Sequence, residues 1–203
     1  MAKKTTGKEL FIQGLWTDNP VLRQILGICS TLAVTNLMVN TLVMDVGLMF
    51  TVPMSSLTVS LLRKYTPLRI RMMAQTMIIA TYVIAFDLVI QAHLPKISEA
   101  LGPYVGLIIT NCIVMGRCEA FARHNPPWPS FVDGLAMSLG YSLVLVVIAL
   151  IREPLGFGTL LGFRVMPEGF TNWTIMVMAP GAFFTLGLLV WLLKARFPIV
   201  GDE

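Results

Sequence analysis

Four apolar runs of membrane-crossing length limit what this chain can fold into. Leu42 to Leu62, Ile70 to Ala92, Phe131 to Ile151 and Ile175 to Leu193 each approach the roughly 20 residues that a helix needs to cross a hydrocarbon core of about 30 Å. Composition agrees: 56% of the 203 residues are hydrophobic and 13% charged, and the mean hydropathy is +0.76. That balance is too apolar for an ordinary soluble domain. Two further runs, Val21 to Thr35 and Tyr104 to Met115, are shorter and richer in small or polar residues, as expected of broken or half-length helices. The expectation is an all-α membrane protein of six passes. Its membrane domain covers 20–195, between an N-terminal segment over 1–19 and a short tail over 196–203.

Basic residues orient the passes. With the N-terminus in the cytoplasm, Lys3, Lys4, Lys8, Arg23, Arg63, Lys64, Arg69, Arg71, Arg117, Arg123, Lys194 and Arg196 fall inside, and Lys96, Arg152 and Arg164 outside. A bias of twelve in fifteen predicts cytoplasmic termini. The formal charge of +4 then reports topology and gives no ground for nucleic-acid binding. Met1 to Thr17 lacks an apolar core and a small-residue cleavage site, so no removable signal peptide is expected there.

The two shorter runs share a spacing. Asn19-Pro20 precedes Cys29, and Gly102-Pro103 precedes Cys112, each proline standing nine residues before its cysteine. Proline suits the first turn of a helix, so each Pro is expected to open one. Nine residues then carry the chain about 13 Å, close to the bilayer midplane. The first of these helices starts from the cytoplasm and the second, as the fourth pass, from the outside, so they run antiparallel. Three passes followed by three of opposite direction form an inverted repeat, here about 20–95 and 103–195, and such folds place their site where the halves meet.

Two thiols at that place have several possible uses. Free cysteine commonly packs as a small hydrophobe. A disulfide lacks an oxidising partner so deep in the membrane. Soft thiolates suit a metal or iron-sulfur site, but an all-thiolate site takes four ligands and the chain has three Cys. Cys118 does not help readily, since six residues on from Cys112 is about 240° around a helix and roughly 9 Å along it.

Longer motifs narrow the choice. Gly106-Leu107-Ile108-Ile109-Thr110-Asn111-Cys112-Ile113-Val114-Met115-Gly116-Arg117, followed by Glu119-Ala120-Phe121-Ala122, resembles the signature of the membrane subunits shared by the sodium-translocating NADH:quinone oxidoreductase and the Rnf electron-transport complex. Leu26-Gly27-Ile28-Cys29 with Leu32-Ala33-Val34-Thr35 looks like the matching segment of the first half. The resemblance extends through Pro129-Ser130-Phe131-Val132-Asp133-Gly134 to Ala179-Pro180-Gly181-Ala182-Phe183-Phe184. The chain's length and the first of these two stretches favour the sodium-translocating complex over Rnf. The resemblance implies a [2Fe-2S] cluster shared between two paralogous subunits of opposite topology, with two cysteines from each. Carried over residue by residue, Cys29 and Cys112 are this chain's ligands, and the partner is a six-pass paralogue of inverted topology, the E-type subunit of such complexes. Other partners implied are the flavin-bearing and NADH-oxidising subunits and the lipid bilayer of the bacterial inner membrane. Cys118 stands where the motif usually has Ala and reads as a packing residue.

The implied activity is electron transfer within the NADH:quinone reductase, with quinone reduction and sodium transport belonging to the whole complex and no catalysis by this chain alone. Nothing in the sequence assigns it a sodium site or an NADH site; Gly156-Phe157-Gly158-Thr159 lacks the surrounding strand and helix of a dinucleotide fingerprint. Asp45, Asp87 and Asp133 fall near the ends of their passes and read as solvated interface positions, and His93 and His124 as interfacial. Arg117 and Glu119 read as a local ion pair or a contact to a partner. A secondary transporter with an inverted repeat is the rival class, with Asn36 and Asn111 as its polar candidates.

Overall fold

The computed structural model describes residues 19–21, 23–67, 69–93, 102, 104–160, 163–164 and 173–196. The regular elements among these residues are helices apart from one pair of two-residue strands. The elements are α1 (Ile28–Val34), α2 (Met38–Leu62), α3 (Arg71–His93), α4 (Cys112–Arg117) running into a π-helical turn (Cys118–Ala122), α5 (Pro127–Phe157), α6 (Thr174–Val177) and α7 (Ala179–Arg196). Residues 104–109 form the helical approach to α4. The strands β1 (Thr159–Leu160) and β2 (Phe163–Arg164) pair antiparallel, Thr159 opposite Arg164, just after Gly158 closes α5 at φ 69°.

Five helices among the described residues are long and apolar enough to cross a membrane: Met38–Leu62, Arg71–Ala92, Tyr104–Ala122, Pro127–Phe157 and Ala179–Arg196. The sequence reading counts a sixth at Val21 to Thr35, but the helix there has only seven residues. Nor does Pro20 open a continuous helix. A single turn closes at Asn19–Arg23, the backbone then passes through left-handed conformations at Ile25 (φ 53°) and Gly27 (φ 80°), and α1 starts afresh at Ile28. Pro103, most of the N-terminal segment and the tail lie outside the described residues.

The centre of the molecule is the antiparallel pair α2 and α5, the two most buried of the long helices. Glu153 Oε2 accepts from the Met38 backbone N–H at 3.0 Å at one end, and Ser60 Oγ donates to the Asn125 carbonyl at 2.7 Å at the other. Between them Gly134 lies so close to Pro53 that a Cβ on it would stand 2.9 Å from the Pro53 Cα. Leu48, Val52, Met44, Leu145 and Ile148 fill the interface and are fully buried. By contrast α3 and α7 expose apolar side chains, among them Met73, Met77, Leu88, Phe184, Leu188 and Trp191. Side chains of that kind on the outer face suit lipid or neighbouring subunits.

Helix α5 is longer than its apolar run, which moves Arg152 out of the loop expected after Ile151. It sits 2% exposed inside the packed end of α5. Its guanidinium donates to the carbonyls of Met176 (3.0 Å), Val177 (3.2 Å) and Met178 (3.3 Å) and to Thr35 Oγ1 (2.5 Å). A buried cation is tolerable there because it lies at the C-terminal end of α6, where carbonyls lack helical partners.

Candidate metal centre

Each cysteine of the expected site begins a helix that follows a break. Cys29 is the second residue of α1, just after left-handed Gly27, and Cys112 is the first of α4, just after the non-helical Thr110 and Asn111. Peptide N–H groups at such starts lack helical acceptors, which favours a negative group beside them. At α4 Asn111 meets part of that demand: its Oδ1 accepts from the Ile113 N–H at 3.1 Å.

One buried network ties the two breaks together. Asn111 Nδ2 donates to Ser30 Oγ at 3.2 Å, Ser30 Oγ is in turn hydrogen-bonded to the Tyr141 hydroxyl, and Tyr141 Oη also donates to the Gly27 carbonyl at 3.1 Å. Gly27 permits the approach. A Cβ on it would lie 2.7 Å from Ile113 Cδ1 and 2.8 Å from the Tyr141 ring, and its φ of 80° suits no branched residue. Asn19 fixes the incoming chain, donating from Nδ2 to the Gly140 carbonyl at 3.0 Å and accepting from the Val21 N–H at 3.1 Å.

Cys29 adjoins Ser30 and Cys112 adjoins Asn111, so the hydrogen bond between those two neighbours holds the cysteine turns side by side. Both cysteines are exposed although Ser30 and Asn111 are buried. No group of three or more His, Cys, Asp and Glu that could hold a metal ion occurs among the described residues. The donors present are thus a pair of accessible thiols at the edge of a packed core. That set fits half of a four-thiolate iron-sulfur site and cannot complete one. Cys118 is elsewhere: fully buried in the core, with its thiol 3.7 Å from Ser55 Oγ.

The ionised residues depart from the sequence reading. Asp45 and Asp133 are 4% and 3% exposed, so neither is a solvated interface residue. They lie well inside α2 and α5 because each helix begins several residues before its apolar run. Asp133 accepts from Arg117 Nε at 2.9 Å and Nη2 at 2.5 Å, and the same guanidinium lies 5.3 Å from the centre of the Phe121 ring. Glu119 pairs with Arg71 (2.9 Å) and Arg123 (3.0 Å) and accepts from Gln75 Nε2 at 3.0 Å. Arg117 and Glu119 therefore make separate pairs. Asp87 is partly exposed on α3, accepting from Gln91 at 3.1 Å, and His124 is exposed.

Tyr141, Ser30 and Asn19 were not legible as site residues. Their one sequence signal is a hydroxyl or amide inside an apolar segment, which must find a buried partner.

Residues 8–190 match the family described as "Rnf-Nqr subunit, membrane protein". The chain is 47% identical over 206 residues to the D-type subunit of the Na(+)-translocating NADH-quinone reductase of Chlamydia pneumoniae, covering 97% of both chains. It is 50% identical over 194 residues to the same component of the Chlamydia trachomatis serovar D enzyme, covering 91% of both, and 47% over 204 residues to that of Chlamydia muridarum, covering 96% of both. With a family match over nearly the whole length and relatives this similar end to end, the chain belongs to the Rnf-Nqr family of membrane subunits.

Proposed function

We propose that the chain is the D-type membrane subunit of a sodium-translocating NADH:quinone oxidoreductase. In this reading it carries electrons through a [2Fe-2S] centre held by Cys29 and Cys112 together with two cysteines of a paralogous E-type subunit. The observation that carries the reading is the Ser30–Asn111 hydrogen bond, which joins the residues next to two exposed cysteines at the starts of two helices.

When bound, such a centre accepts and passes on one electron at a time. The chain's own residues position and insulate it. Gly27 lets the backbone turn sharply before Cys29, and Asn111 caps the turn at Cys112. Tyr141 bridges from α5, one of the two most buried long helices, to the turn before Cys29. Ile113 and Val114, both buried, exclude water behind Cys112.

The same reading makes the stretch from Val21 to Thr35 a sixth, interrupted crossing. Three passes then stand against three of inverted direction, with α2 and α5 as the corresponding central helices. The twelve basic residues on one side support, in the same reading, cytoplasmic termini and a place in a bacterial inner membrane. Relatives named for Na(+)-translocating NADH-quinone reductase favour that complex over Rnf.

The test is iron and turnover in the purified complex. Cys29→Ala and Cys112→Ala should each lose the cluster's iron and its EPR signal and abolish quinone reduction, whereas Cys118→Ala should keep all three. Full iron content and turnover in either of the first two variants would show that the assignment is wrong.

A further inference from the structure

We infer that the cleft between the end of α2 and the start of α3 binds the headgroup and upper acyl chain of one anionic phospholipid. Such a lipid site is independent of the cysteine reading and needs only that the chain spans a membrane.

The connection from α2 to α3 is one-sided in charge. From Val46 to Phe86 the sequence has no acidic residue, while Arg63, Lys64, Arg69 and Arg71 crowd into one short stretch. Arg63 and Arg71 line a single cleft, which Arg123 joins from just after the π-helical turn. One carboxylate serves them. Glu119 Oε1 accepts from both Arg71 (2.9 Å) and Arg123 (3.0 Å), and its Oε2 is taken by Gln75 Nε2 at 3.0 Å. Three guanidiniums against one carboxylate leave the cleft with an excess of positive charge. Arg71 and Arg123 also keep 30% and 32% of their side-chain surface open. A guanidinium has five donors, and Glu119 uses only part of that capacity, so N–H groups remain for a second acceptor. Planar donors of this kind suit the two free oxygens of a phosphodiester.

The rest of the wall makes the ligand a lipid and not a dissolved phosphate. Val59, Leu62, Ala74 and Ile78 line the same cleft, and their chain neighbours Leu61, Met73 and Met77 are each more than half exposed. An anion held by the arginines therefore has apolar surface running away from it, as a headgroup phosphate has its acyl chains. Depth agrees. Tyr65 beyond the end of α2 is 87% exposed and Trp128 at the start of α5 is 74% exposed, and the Ser60–Asn125 hydrogen bond puts these two helix ends together. Exposed Tyr and Trp at one end of a membrane bundle mark the headgroup level. A zwitterionic headgroup brings a cation that the surplus arginines repel, so the occupant carries net negative charge.

The experiment places the purified complex in phosphatidylcholine nanodiscs with a trace of phosphatidylglycerol carrying a diazirine high on one acyl chain, or of phosphatidylcholine carrying the same group. After irradiation the adducts are mapped by peptide mass spectrometry. The phosphatidylglycerol probe should label Leu62 or the stretch from Ala74 to Ile78 several-fold more than the phosphatidylcholine probe. Unlabelled phosphatidylglycerol should displace it, and inorganic phosphate should not. In Arg63→Gln, which leaves the Glu119 pairs in place, the excess should fall roughly fivefold, the contribution of one basic residue at an anionic headgroup. Equal labelling by the two probes overturns the proposal. Labelling that inorganic phosphate displaces overturns it too, since the cleft then takes a soluble anion, and so does an unchanged excess in assembled Arg63→Gln. Should that variant fail to assemble, the two probes and the phosphate competition on the native complex still decide.

Discussion

Gly27 and Tyr141 show how little side-chain freedom the cysteine junction has. A methyl group at residue 27 meets both a left-handed backbone and two side chains closer than 3 Å, Ile113 from α4 and Tyr141 from α5. Gly27→Ala therefore has no easy relaxation: moving Ile113 disturbs the turn at Cys112, and moving Tyr141 breaks its bonds to Ser30 and the Gly27 carbonyl. The expected outcome is a loss of about 2 kcal/mol or more of stability together with lost iron, read by thermal unfolding and metal analysis of the complex. Tyr141→Phe separates the two effects. It keeps the ring against Gly27 but withdraws the hydroxyl; the Gly27 carbonyl still accepts from Ser30 and Thr31 and Ser30 still accepts from Asn111, so the cost stays near that of one hydrogen bond, about 1 kcal/mol. Iron should remain, and the midpoint potential of the centre should shift, because the hydroxyl beside the Cys29 turn is gone. A potential identical to that of the native complex would show that the network only holds shape.

At the scale of elements, the pair α2 and α5 behaves as one beam, pinned at both ends by Glu153 to Met38 and Ser60 to Asn125. Its middle depends on backbone proximity. Gly134 stands against Pro53, whose missing N–H already weakens the α2 ladder. Alanine is the better helix former by up to ~1 kcal/mol, but here its Cβ would meet the Pro53 Cα at 2.9 Å, and backbone cannot yield as a side-chain tip can. Gly134→Ala is thus expected to destabilise the complex, with a lower unfolding temperature, against the direction of helix propensity. An equal or higher temperature would mean that the helices part without cost. The long helices were legible from the sequence because twenty apolar residues have few other fates. That Val21 to Thr35 is broken or half-length was legible too, but the place of the break was not, since nothing in Pro20-Val21 announces that Ile25 and Gly27 adopt positive φ. The burial of Asp133 was equally hidden: its partner Arg117 lies on another helix, and proximity across α4 and α5 is a tertiary fact. The cysteine spacing points to two thiols about half-way along helices opened by their prolines, whereas the structure sets each cysteine at the start of a helix. The structure added that Ser30 and Asn111 join them.

For the molecule as a whole, the placement of two exposed thiols on an otherwise well-packed membrane protein argues for a partner. The core behind them is closed by Ile113, Val114 and Tyr141, yet the cysteines themselves are uncovered. Within the described residues the chain offers no third or fourth ligand to a metal at that place. In the proposed reading the missing pair belongs to the E-type paralogue, inverted relative to this chain. A second copy of this chain meets the need less well, because copies with the same termini inside are related by an axis along the membrane normal and cannot present inverted helices. Metal binding and folding are coupled where ligands come from two chains. Produced without that paralogue, the chain is expected to bind little iron and to unfold or be degraded sooner than in its presence. Co-production should restore both together, and restoration should fail when either Cys29 or Cys112 is replaced by alanine. Iron analysis and pulse-chase lifetime in cells with and without the paralogue make the comparison. A chain purified alone, long-lived and carrying a full iron-sulfur spectrum, would show that the site is complete within one subunit.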